Sequence, residues 1–240
     1  MLLRKLLLYF SLGFFLLSLA HGGARRFTYV YEATPTPPGA FELESWVTWK
    51  TGRANDQFDF RHEVEFGLTE RLQMAIYLAD WTLNDGATYT GSAVELLYGL
   101  TNPETSTLGS AIYGELKVGD ELVSLESKII LQKNFGRLVF AYNATLEAEW
   151  EGEDLDERVG EFQQTLGASY EITPRFLIGA ELLHEIEFPE WHGGEESVVY
   201  AGPNASLRAG NWWATVTALA QLTDADEPDV QVRTIFGYTF

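Results

Sequence analysis

Val230-Gln231-Val232-Arg233-Thr234-Ile235-Phe236-Gly237-Tyr238-Thr239-Phe240 closes the chain. Read at a period of two, it sets Val230, Val232, Phe236, Tyr238 and Phe240 on one face, with Gln231, Arg233, Gly237 and Thr239 on the other. That is the alternation of a β-strand with one apolar side, and it runs to the final carboxylate. In a soluble domain such an end frays, and its open edge invites pairing with other chains. Closing the sheet into a barrel within lipid removes the edge and seats the aromatics at the membrane interface.

Working back from that strand, eleven further alternating segments are legible. They are Phe41 to Lys50, Gln57 to Leu68, Arg71 to Trp81, Thr88 to Leu100, Leu108 to Val118, Leu122 to Asn134, Arg137 to Trp150, Val159 to Ile172, Arg175 to Phe188, Val198 to Leu207 and Trp212 to Leu222. The tenth is the weakest, because Pro203 lies inside it and proline cannot donate to a ladder. Ile130 departs from the alternation and reads as an isolated irregularity. Tight connections (Thr69-Glu70, Asn134-Phe135-Gly136, Thr173-Pro174, Gly210-Asn211) alternate with longer acidic ones, the pattern of short periplasmic turns and longer external loops. Trp46, Trp49, Trp81, Trp150, Trp191, Trp212 and Trp213 cluster near segment ends, as interfacial girdles would require. The expected fold is therefore all-β, a single antiparallel up-and-down barrel of about twelve strands.

The other end of the chain carries a different signal. Arg4-Lys5, an apolar run to Leu19 and a small residue at Ala20 are the three parts of a cleavable secretory signal, so residues 1–20 are expected to be removed. Residues 21–39, with Pro35, Pro37 and Pro38, are expected to form a periplasmic lead-in, and residues 40–240 the barrel. The chain has no cysteine, which excludes a disulfide scaffold and a thiolate site. Its net charge of −19, made two charges more negative by loss of Arg4 and Lys5, excludes nucleic-acid binding through phosphates. An aromatic content of 14% argues against reading that acidity as disorder.

With these segments in place, the chain from Phe41 onward resembles bacterial outer-membrane β-barrel proteins, in particular small outer-membrane and transporter-like barrels of Gram-negative cells. The resemblance implies an outer-membrane location and contact with its lipid. It also implies that Phe236, Tyr238 and Phe240 form the C-terminal signal read by the barrel-assembly machinery. It supplies no substrate and no functional residue.

If the apolar face meets lipid, the polar face lines the lumen. That face carries Glu42, Glu44, Glu63, Glu65, Glu95, Glu115, Glu126, Glu147, Glu149, Glu161, Glu181 and Glu185, against bases that include Arg61, Lys128 and Arg233. Carboxylates without partners are costly to bury, so the lumen is expected to be wet or laced with ion pairs. A wet, acid-lined pore attracts cations. The expected function is a narrow, cation-preferring channel for small solutes, and the alternative is a closed structural or adhesive barrel acting through acidic external loops. An enzyme is not expected. His62 and His184 lie on the apolar face, neither has a Ser two residues away, and no Gly-x-Ser-x-Gly elbow occurs. His192 with Glu190, Glu195 and Glu196 is too sparse a donor set for a metal site, and no cofactor motif is present.

Overall fold

A computed structural model describes residues 24–52, 56–194 and 196–240. The expected signal peptide, its cleavage point and Glu195 lie outside the described residues. Twelve strands follow one another: β1 (Phe41–Thr51), β2 (Gln57–Gly67), β3 (Leu72–Leu83), β4 (Ala87–Thr101), β5 (Gly109–Val118), β6 (Leu122–Phe135), β7 (Leu138–Glu151), β8 (Glu157–Thr173), β9 (Phe176–Pro189), β10 (Val198–Ala209), β11 (Trp212–Gln221) and β12 (Val230–Thr239). Each pairs antiparallel with its sequence neighbours, and β12 returns to β1 to close the barrel. The closing seam aligns Glu42 with Thr239 and Trp46 with Ile235. No backbone edge is left, which is what a sheet in hydrocarbon requires.

The outer surface is apolar because every second residue is. Ile76, Leu96, Ile112, Ile129, Leu146, Leu166 and Val216 stand exposed around the wall. A soluble protein does not display a continuous belt of this kind, whereas a lipid-facing wall must. Aromatic clusters border the belt at both ends. At the rim carrying the C-terminus, Phe41 packs on Phe66 (5.1 Å) and Phe240 (5.0 Å), and Trp212 stacks on Phe236 (6.1 Å). At the opposite rim Trp49 stacks on Phe58 (6.3 Å) and Trp150 meets Trp191 edge-on (5.7 Å). Phe236, Tyr238 and Phe240 all face outward. Two tryptophans depart from the expected girdles: Trp46 and Trp213 point inward and are buried.

Pro203 does lie within a strand. Its side chain faces outward, and pairing from β10 to β11 lapses at Gly202–Pro203 while the register with β9 continues through Ala180. A small shift at Leu78–Ala79 in β3 keeps both Tyr77 and Asp80 facing inward.

The segment expected to lie in the periplasm does not stay outside the barrel. Residues 24–38 run into the lumen, where Phe27, Thr28, Tyr29, Val30, Tyr31, Ala33 and Thr36 are buried. Ile130 is thereby explained. It faces inward and packs in one cluster with Tyr31 and Ala33 of that segment, Trp46, Leu97, Ala111, Tyr113, Trp213 and Ile235.

Adjacent residues of β6 therefore report on opposite surroundings, Ile129 being 57% exposed and Ile130 fully buried. Ile129→Arg places a charge in the lipid belt and is expected to cost about 2–4 kcal/mol of stability. Ile130→Ala leaves the belt intact and is expected to cost about 2–5 kcal/mol by opening a cavity against residues 24–38. Equilibrium unfolding in lipid vesicles measures both. A neutral Ile130→Ala would contradict the inward packing.

Candidate functional site: a strap inside the lumen

The strap is Ala24-Arg25-Arg26-Phe27-Thr28-Tyr29-Val30-Tyr31-Glu32-Ala33-Thr34-Pro35-Thr36-Pro37-Pro38. It forms no strand, and Pro35, Pro37 and Pro38 cannot donate, so its remaining polar backbone groups need partners from the wall. Its two legs are clasped together: the Arg26 N–H and Nε each donate to the Glu32 carboxylate at 3.1 Å. The loop so formed rises from the rim that holds Ala24 and Gly39, turns at Thr28 to Val30, and descends again.

At the turn, the backbone N–H groups of three consecutive residues converge on Glu181 of β9. Thr28 donates at 2.9 Å, Tyr29 at 2.7 Å and Val30 at 3.2 Å. The same carboxylate accepts from Asn204 Nδ2 at 2.9 Å and Thr217 Oγ1 at 2.5 Å, so its burial is fully compensated. Further down, Asn143 reads Tyr31 like a strand would: its Oδ1 accepts the N–H at 2.7 Å and its Nδ2 donates to the carbonyl at 3.0 Å. Gln132 accepts the N–H of Ala33 (2.7 Å), and Gln73 that of Thr36 (2.8 Å), whose hydroxyl donates to Glu65. The strap's carbonyls are met from the other side, by Arg208 at Ala24 (2.9 Å), Thr215 at Arg25 (2.7 Å), Asn204 at Arg26 (3.2 Å) and Arg233 at Thr28 (3.3 Å).

Apolar contacts fill the rest. Phe27 and Val30 pack with Val139 and Ala141 of β7. Tyr29 packs with Leu183, Val198, Tyr200, Leu219 and Ala225. Two wall glycines make room. A Cβ on Gly167 would lie 2.6 Å from the Phe27 ring, and one on Gly67 would collide with the Pro37 carbonyl.

The expected lumen acids do face inward, but they divide into two sets. Glu44, Glu63 and Glu65 surround Arg25 at 2.9, 3.2 and 3.8 Å. Glu95 accepts from Tyr77 (2.5 Å) and Tyr31 (3.4 Å), and Glu42 from Thr239. Arg61 joins Asp80 (2.9 Å) and Glu115 (3.4 Å), Lys117 joins Asp80 (3.1 Å), and Lys128 joins Glu126 (2.9 Å). Arg233 lies 3.9 Å over the Tyr29 ring and donates to Thr48. On the β7–β9 side the acids meet neutral partners: Ser124 for Glu147, and Gln163 for both Glu161 (3.2 Å) and Glu185 (2.9 Å). Among the described residues, Glu147, Glu149, Glu161 and Glu185 make no ion pair.

Among the described residues, the strap is flanked by two cavities. One of about 530 Å³ opens at the rim carrying Ala24 and the C-terminus and is bordered by Arg25, Glu32, Gln73, Arg208, Trp213 and Phe240. The other, of about 580 Å³, opens at the opposite rim and is bordered by Tyr29, Lys50, Arg61, Glu126, Glu149 and Arg233. Tyr31 borders both, so the strap is a septum between two vestibules. Arg25 and the tyrosines of the strap were not singled out in the sequence. The signal that would have found them is the doubling of large apolar residues, as at Leu96-Leu97, Ile129-Ile130, Leu182-Leu183 and Trp212-Trp213, where one partner serves lipid and the other the strap.

His62 and His184 stay on the outer face. His62 Nδ1 does meet a serine, Ser45 of the neighbouring strand, at 3.1 Å, and His184 Nδ1 contacts Gln164 at 3.3 Å. Nucleophilic chemistry needs an orienting group behind the base and donors for an oxyanion. Among the described residues no carboxylate is hydrogen-bonded to His62, and none form a group of three or more metal-ligating side chains.

The anchor at Glu181 and the clearance at Gly167 are separable by mutation. Glu181→Ala strands the amides of Thr28, Tyr29 and Val30, and Gly167→Val displaces Phe27, the first at a cost of about 2–5 kcal/mol. Both should expose the Arg25–Arg26 bonds to trypsin in a folded barrel that otherwise protects them. Equal cleavage rates in both variants and the unaltered protein would contradict the docking described.

No curated protein matches the chain. Solved structures do. A KdgM porin is 11% identical with a TM-score of 0.56, covering 83% of this chain and 99% of its own. A NanC porin is 9% identical with a TM-score of 0.59, covering 82% and 98%. The translocator domain of the autotransporter NalP from Neisseria meningitidis is 12% identical with a TM-score of 0.50, covering 84% and 88%. These likenesses show the fold, that of the outer-membrane β-barrels. Residues 19–229 match the family described as "Family of unknown function (DUF6662)", and the chain belongs to that family.

Proposed function

We propose that this chain is an outer-membrane conduit for small cationic solutes, closed at rest by its own N-terminal strap. The observation that carries the reading is the strap's position, a thin septum with a vestibule on each side. A barrel serving only as a shell has no use for two polar mouths aligned across one removable segment. Both legs of the strap end at the rim with the short turns, the periplasmic side of such barrels, so it can withdraw without threading the lumen.

The sign of the solute follows from the wall. Glu147, Glu149, Glu161 and Glu185 line one side with no contact ion pair among the described residues, the nearest bases acting on them being Lys50 and Arg233 at Glu185 and Lys117 at Glu149. An acid-rich path raises the local concentration of cations. Porins share the fold, and one was solved with an oligogalacturonate, an acidic saccharide. The charge of this lumen favours the opposite sign. The C-terminal residues Phe236, Tyr238 and Phe240 would serve the assembly machinery, and the outer belt would meet outer-membrane lipid.

The test is conductance in a planar bilayer under a salt gradient, comparing the unaltered full-length protein with Glu181→Ala. The unaltered protein should be nearly silent. Weakening the anchor by about 2–5 kcal/mol should raise the open fraction by at least about tenfold, with a reversal potential of cation sign. Silence from both, with insertion established by heat-dependent gel migration, would overturn the conduit and favour a closed structural barrel.

A further inference from the structure

The pocket around Arg25 has the composition of a receptor for the group it holds. The barrel contributes Glu44 and Glu63, whose oxygens lie 2.9–3.2 Å from the guanidinium, and Glu65 at 3.8 Å. The guanidinium also lies 4.8 Å from the Trp46 ring and 4.6 Å from the Tyr31 ring of the strap itself. Trp46 Nε1 donates to both Glu44 (3.0 Å) and Glu63 (3.1 Å), which fixes the two carboxylates in place before any cation arrives. A planar cation with several in-plane donors fits between aromatic faces and carboxylates. A compact ammonium can take an aromatic face, as Lys128 does at 4.2 Å from the Tyr31 ring, but has no planar fork to divide between two carboxylates.

The strap does not exhaust the site. Three carboxylates face one guanidinium, and Glu63 Oε2, fully buried, has no hydrogen-bond partner; neither does Oε1 of Glu42, which lies opposite Glu65 in the β1–β2 register. The pocket also has an entrance, because Arg25 and Glu65 border the 530 Å³ vestibule. We propose that this pocket is a binding site for guanidinium-bearing solutes, and that Arg25 is a tethered competitor filling it at rest. The proposal deepens the conduit reading by naming a class of solute, and its significance for transport rests on that reading. Binding itself does not. A solute arriving in the vestibule competes with a side chain whose effective concentration is millimolar, as for any group on a short tether. Displacement removes an ion-paired anchor from the strap, which couples occupancy to release.

The experiment is chemical rescue in the full-length protein. Arg25→Ala should lower the temperature at which the barrel loses its folded gel mobility, and millimolar methylguanidinium should restore it, where equal concentrations of methylammonium or potassium chloride do not. Quenching of Trp46 fluorescence should show methylguanidinium binding to Arg25→Ala at least about tenfold tighter than to the unaltered protein, since the tethered competitor is gone. Adding Glu44→Gln and Glu63→Gln should abolish both effects. If Arg25→Ala does not fold, Arg25→Lys replaces it, keeping the charge and losing the fork. Equal rescue by methylammonium, or equal affinity with and without Arg25, would overturn the proposal. Silence from both the unaltered protein and Glu181→Ala alongside specific rescue would sink the conduit and leave the site standing; steady cation current from Glu181→Ala without rescue would do the reverse.

Discussion

A stretch of backbone that pairs with no strand can lie inside a barrel only if side chains satisfy it, because water is too scarce there to do so at every position. The carboxylate of Glu181 meets the most demanding part of that constraint, taking the N–H groups of Thr28, Tyr29 and Val30 where the strap turns. Asn143, Gln132 and Gln73 continue the same service along the descending leg. The lumen wall is thus written for one particular segment. The ion pairs and apolar clusters are consistent with that order of dependence: they fill space around a backbone whose path the amide and carboxylate side chains have set.

The same segment rationalises the acidity of the wall. Six inward carboxylates near the strap, Glu42, Glu44, Glu63, Glu65, Glu95 and Glu115, are buried. Burial of so much acid is tolerable only with donors at hand. The strap brings Arg25 and the Tyr31 hydroxyl, and the wall adds Arg61, Tyr77 and Tyr113. On the β7–β9 side Glu147, Glu149, Glu161 and Glu185 make no contact ion pair among the described residues and take neutral hydrogen-bond donors instead, Ser124 for Glu147 and Gln163 for Glu161 and Glu185.

Much of the barrel was legible in the sequence because lipid imposes a period of two. The outward series through Leu125, Ile129 and Leu131, or Phe176, Ile178 and Leu182, admits few other readings. The inward polarity of Glu181 and Asn143 was legible for the same reason. What they bind was not. A run with Pro35, Pro37 and Pro38 reads as a linker, since proline excludes ladder pairing, yet a segment served by side chains has no need of a ladder. Ile130 and the inward tryptophans Trp46 and Trp213 were the available clues. They contradict a water-filled lumen, and a wall that mixes buried acids with buried aromatics has to be packing against something.

Hydrogen exchange at the amides of Thr28, Tyr29 and Val30 tests the account most directly. If Glu181 holds the strap in the lumen, these three amides exchange as slowly as those of the neighbouring strands β9 and β10. Exchange at the rate of an unstructured peptide, in a barrel whose strands are protected, would mean that the strap does not reside in the lumen and that the septum does not exist.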